Sequence, residues 1–143
     1  MSAKFDEAAL PEGLRRGLAA IRARVAPTAG VVAIQDNFAY VGIGVQELPD
    51  LYVEDRAELF VRAPLTFPHA APYGIITRPF LHRKDGAAID RQHLNHDLAR
   101  PVGNGSGGAE LGFWSWDWSG MPCREPEDLA AIVEWARKRL RQG

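Results

Sequence analysis

A single cysteine, Cys123, leaves no partner for an internal disulfide and too few thiols for a multi-cysteine zinc cluster. It is either inert or the only thiol available for chemistry. No run approaches 18 consecutive apolar residues, which excludes a membrane-spanning helix. The opening Met1-Ser-Ala-Lys-Phe-Asp-Glu7 lacks the apolar stretch of a secretory signal, so a soluble, cytoplasmic protein is the expectation. A basic excess is also missing: the net charge of −1 argues against a nucleic-acid partner. HExxH, CxxC and related metal signatures are absent, and no cofactor is expected. What remains is an ordinary globular composition, 46% hydrophobic and 24% charged, over a length that suits one domain, residues 1–143. Residues 1–9 are polar and expected to fray.

Pro11 can open a helix, and Leu14, Leu18, Ile21 and Val25 recur as one stripe that ends before Pro27. Arg15, Arg16, Arg22 and Arg24 lie off the stripe, on what is in the first instance a solvated face. Val31–Ile34 and Phe38–Val45 read as strands joined by a turn at Gln35-Asp-Asn37, where Asp or Asn accepts left-handed geometry. Gly42 and Gly44 leave one side of the second strand nearly bare, which suits close packing, as by a helix. Leu59, Val61 and Ala63 then alternate with Phe60, Arg62 and Pro64, the period of a strand with one buried face. Pro64, Pro68 and Pro72 remove ladder donors and predict a stiff, extended crossover to a strand at Tyr73–Thr77. The pattern predicts an α+β domain: an N-terminal helix, a four-stranded antiparallel meander, an irregular segment and a C-terminal helix.

From Arg78 to Gly112 regular signals fade, apart from a candidate short helix at Ile89–Leu98 and a glycine-rich loop at Val102–Gly108. Irregular stretches of this length inside a domain tend to be functional. Alternation in Leu111–Trp118 puts Trp114, Trp116 and Trp118 on one side, most simply as core. Glu125-Pro-Glu-Asp128 starts the last helix with Pro at its first position, and Leu129, Ile132, Val133, Ala136 and Leu140 form its apolar stripe.

The run Leu59-Phe-Val-Arg-Ala-Pro-Leu-Thr-Phe-Pro-His-Ala-Ala-Pro-Tyr73 resembles the strand–proline loop–strand of the ubiquitin-conjugating (UBC) fold, and the Trp…Pro-Glu-Asp-Leu129 approach to the last helix resembles its tryptophan–proline element. The resemblance spans about residues 10–141. It implies a UBC-like fold of a divergent prokaryotic branch and a carrier that accepts a ubiquitin-like modifier from an activating enzyme as a cysteine thioester, then passes it to an amine. It also implies that the basic first helix, through Arg15, Arg16 and Arg22, meets the activating enzyme. The chain departs from the family pattern: His82 stands where a His-Pro-Asn motif would begin, but Arg83 and Lys84 replace Pro and Asn, and Cys123 follows the tryptophans.

Cys123 precedes the last helix, where the helix dipole and Arg124 lower a thiol pKa while Glu125, Glu127 and Asp128 raise it. It is the candidate nucleophile or a small buried residue. His93, Asn95, His96 and Asp117 are the candidates for the oxyanion-stabilising role that the missing Asn leaves open. Two further classes stand beside the enzyme. One is a catalytically inactive UBC-fold scaffold that binds the modifier or the activating enzyme. The other is a metal-dependent hydrolase in which His93 and His96, three apart, share a metal with Asp97 or Cys123.

Overall fold

The apolar stripe of the first helix forms as its spacing requires: α1 runs Glu12–Arg24 and buries Leu14, Leu18 and Ile21. The computed structural model describes residues 7–103, 110–115 and 123–142. Six strands follow α1: β1 (Gly30–Gln35), β2 (Phe38–Glu47), β3 (Arg56–Pro64), β4 (Ile75–Arg78), β5 (Gln92–Leu94) and β6 (Gly112–Trp114). They form one antiparallel sheet in the order β1-β2-β3-β4-β6-β5. A closing helix, α2 (Asp128–Gln142), packs beside α1. The domain is therefore α+β, with one helix before and one after the strands of an antiparallel sheet in chain order.

Asp36 and Asn37 both take positive φ, 54° and 66°, making the two-residue turn that matches the twist of a β1–β2 hairpin. After β3 the proline connection does not run fully extended. Its first half is turned, with Phe67 N–H donating to Pro64 O and His69 N–H to Thr66 O, and Leu65 N–H is held by Asn37 O. Pro126 falls outside the last helix, which starts at Asp128. The Asp128 carboxylate gathers the backbone N–H groups of Arg124 and Glu125, both at 3.0 Å, and so fixes the turn that precedes the first helical residue.

The sheet has six strands, not four, and the stretch Ile89–Leu98 is not a helix. Arg91 and Asn95 sit at φ 66° and 48°, outside helical geometry, and the three residues of β5 lie between them. Side chains stand in for missing ladder bonds here. The Gln92 amide donates to Leu81 O and accepts from Leu81 N–H, each at 2.9 Å, while Asn95 Oδ1 accepts from Leu111 N–H at 2.8 Å. Gly112 makes this possible, since a Cβ there would collide with the Gln92 carbonyl oxygen and Thr77 Oγ1.

Both faces of the sheet are covered. On one, Leu14, Leu18 and Ile21 of α1 and Leu129, Ile132 and Val133 of α2 share a core with Val41, Leu59, Val61, Ile75 and Trp114. On the other, Tyr40, Phe60, Ile76 and Phe113 are covered by Ala99, Val102 and Leu111, the first two on a 3₁₀ segment, Asp97–Val102. Burial from Leu59 to Pro64 is consequently continuous, not alternating, because β3 is central in a sheet covered on two sides. Gly42 is approached by Val32 and Phe60 rather than by a helix, and Gly44 sits at a bulge with φ +110°. Burying one side chain such as Ile132 contributes about 1.5–3 kcal/mol.

Candidate functional site

Gly13 brings α1 against the proline connection so closely that a Cβ would collide with the Phe67 carbonyl oxygen. Beside that contact lies a cleft of about 550 Å³, lined by Pro11, Glu12 and Gly13 at the start of α1, Leu65–His69 of the connection, and Pro126 ahead of α2. Cys123 borders the same connection: its Sγ lies 3.7 Å from Pro68 O, a long contact in which the thiol donates. The side chain is half-buried against the helix-side core. Burial first, and the negative charge of Asp128 second, push the thiol pKa up. A thiol raised above its ordinary value is neutral at pH 7, the form that does not attack acyl groups.

His93 and His96 lie elsewhere. His93 is the middle residue of β5 and pairs across the ladder with Phe113; its Nε2 is 2.9 Å from Ser115 Oγ. His96 caps the 3₁₀ segment, its Nδ1 accepting from Leu98 N–H at 3.0 Å, and stacks on the Phe113 ring at 4.7 Å between centroids. The two imidazoles meet edge to face, 5.8 Å apart. Phe113 belongs to the core opposite the helices, whereas Cys123 packs on the helix side. The sheet therefore separates the thiol from both histidines. Asn95 lies with the histidines, its side-chain carbonyl engaged by Leu111 N–H. Asp117, Trp116 and Trp118 lie outside the described residues.

The arrangement does not bring Cys123 to His93 and His96 as a shared metal site, and no group of three or more His, Cys, Asp or Glu side chains able to hold a metal occurs among the described residues. No helix among them is long and apolar enough to cross a membrane. His82 is bound to Glu54: its backbone N–H and Nδ1 meet the two carboxylate oxygens at 2.8 and 2.7 Å. Burial raises the Glu54 pKa, but the bonds to His82 outweigh it and hold the carboxyl below its ordinary value.

The basic face of α1 is largely used within the molecule. Arg16 chelates Glu127 through two 3.0 Å bonds, Arg24 reaches Glu134 at 3.1 Å, and Arg22 holds Ala29 O and Glu7 at 2.8 Å each. Arg15 bonds the Leu10 carbonyl at 3.1 Å and has no carboxylate partner among the described residues. Two functional candidates escaped the sequence reading. His69 lies on the cleft one residue beyond Pro68, inside the proline run, and Ser115 faces His93 only because β5 and β6 pair. Neither carries a motif. No family model matches the chain, and no curated protein or solved structure matches it.

Proposed function

We infer that the protein is a ubiquitin-conjugating-like scaffold, which binds a ubiquitin-like modifier or its activating enzyme without forming a thioester. The chain order supports the family reading: basic helix, antiparallel strands, a three-proline connection between β3 and β4, and a closing helix on the same side of the sheet. One observation favours the scaffold over the carrier. Cys123 is half-buried with its pKa raised, and His93 and His96 face away across the sheet. Partner binding on the α1 side falls to Arg15, the arginine there that has no carboxylate partner among the described residues, while Arg16 and Arg22 are held internally.

The carrier remains the second reading, and the cleft supports it: His69 stands beside the segment that contacts Cys123, in a space of about 550 Å³. In that case the thiolate attacks the activated carbonyl, the activating enzyme's thiol leaves, and an incoming amine later displaces Cys123. Incubation with a candidate activating enzyme, modifier and ATP separates the readings. The scaffold predicts a complex that survives Cys123→Ala and is weakened by Arg15→Glu. A reductant-sensitive adduct abolished by Cys123→Ala overturns the scaffold and establishes the carrier.

A further inference from the structure

Two arginines lie on the sheet face opposite the helices, and they are provided for differently. Arg78 is chelated by Glu58, Nε to Oε1 and Nη2 to Oε2 at 2.8 Å each, with Nη1 on Val102 O at 3.0 Å and the guanidinium 5.3 Å from the Phe60 ring centre. Its side chain keeps 23% exposure. Arg62 is buried to 3% exposure, yet no carboxylate pairs with it among the described residues. Its Nε donates to Tyr40 Oη at 3.0 Å and Nη1 to Tyr73 O at 2.9 Å. A guanidinium carries five N–H donors, so three remain without a protein acceptor there.

This inverts the energetic order. A cation removed from water loses hydration worth several kcal/mol, and the deeper group needs a counter-charge more than the shallower one. The surroundings of Arg62 show which part of it is open to one. The guanidinium Cζ lies 4.0 Å from the centre of the Phe38 ring and 5.4 Å from that of the Tyr40 ring. Tyr40 Oη in turn donates to Leu98 O at 2.9 Å, which fixes the hydroxyl that Nε uses. One N–H on Nη1 and both on Nη2 are unused among the described residues, and the chelation of Arg78 by Glu58 shows how a carboxylate takes guanidinium donors. Phe38 is half-buried and Tyr73 is 43% exposed.

We propose that Arg62 anchors a binding site for a carboxylate ligand, framed by Phe38, Tyr40 and Tyr73 on the face of the sheet away from Cys123. A single positive charge is balanced by a monoanionic carboxylate, whose geometry the guanidinium fork matches. The site is independent of any thiol chemistry, since the sheet separates it from the cleft.

The test is a titration of the intact protein with sodium acetate at constant ionic strength, followed by NMR at the Arg62 side-chain Nε–H and the Tyr73 amide. A saturable shift of both signals is expected, absent with acetamide. Arg62→Lys, which keeps the charge and loses the fork, is expected to weaken acetate binding at the Tyr73 amide by roughly tenfold or more. Where that variant does not fold, Phe38→Leu assigns the Nε–H signal by removing the ring above it. Repeating the titration with N-acetylglycine and with N-acetylglutamate amide tells a chain terminus from an acidic side chain. No saturable shift with acetate, or an equal shift with acetamide, overturns the proposal, and neither result bears on whether Cys123 forms a thioester.

Discussion

The two faces of the sheet are covered by different means. On the helix side, α1 and α2 present continuous apolar stripes, and Ile21, Ile132, Val133 and Ala136 are fully removed from solvent. On the far side a six-residue 3₁₀ segment and Leu111 do the covering, with charge and imidazole brought into or over the core: Arg62 within it, His93 and His96 above Phe113. The lesson is that apolar stripes and charged groups are divided unevenly between the faces. The helix face buries mainly aliphatic side chains, its few buried polar groups being met by bonds such as Tyr52 Oη to Leu140 O and Trp114 Nε1 to Thr77 Oγ1. The far face holds its polar groups through specific bonds, such as Tyr40 between Arg62 and Leu98 O.

The sharpest way to break this comparison is a matched pair of truncations. Ile132→Ala, at full burial between helix and sheet, is expected to cost about 2–5 kcal/mol in urea unfolding. Leu111→Ala, on the far side beside the short 3₁₀ segment, is expected to fall at about 2 kcal/mol, the bottom of that range. Equal losses would show that the two faces are equally rigid. Gly13→Ala comes next. The gain in helix propensity is about 1 kcal/mol, but the new methyl meets a backbone oxygen that cannot rotate away, so a net loss of about 1–3 kcal/mol is expected. Thermal unfolding measures it, and a stabilised variant would mean that α1 shifts freely over the cleft.

Smaller effects concern the chemistry of the helix side. With its pKa raised, Cys123 is expected to react with an aromatic disulfide reagent at pH 7 more slowly than free cysteine, and faster as the pH climbs. Asp128→Asn removes one of the two causes and is expected to speed the reaction at neutral pH. A thiol faster than free cysteine at pH 7 would return the carrier to first place. The same carboxylate supplies the smallest effect. Bonds from the backbone N–H groups of Glu125 and Arg124 lower its pKa below the ordinary 3.8. Its contribution, less than about 1 kcal/mol, is therefore present above pH 3.8 and lost as the pH falls through the lowered value. Wild type and Asp128→Asn should differ at pH 6 and converge at the acid end, as followed by unfolding at stepped pH.

How much could be read in advance follows the same division. Leu14, Leu18 and Ile21 announced α1 by spacing, Leu129, Ile132, Val133 and Ala136 announced α2, and Asp36-Asn37 announced the hairpin because few other residues accept left-handed backbone. β5 was not legible, since three residues are too short to display a period and the Gln92 and Asn95 side chains bond distant backbone beside its ladder, whereas the alternation from Leu111 took in β6 without marking it as a strand of this sheet. The candidate site was legible only residue by residue. Cys123 and the histidines were identified as reactive types, but their separation by the sheet was not, and His69 entered only when the proline connection folded against α1.

By itself the sequence determined the local elements, an α+β class, a single thiol and the absence of long apolar runs, because these depend on neighbours within a turn or a strand. Only the tertiary structure decided that the sheet has six strands, that β3 is buried on both faces with Arg62 in its middle, and that Cys123 and His93 face away from each other. Those outcomes depend on which distant side chains satisfy which backbone groups, and on which face of a strand each residue takes when its partners arrive, and no local pattern encodes either.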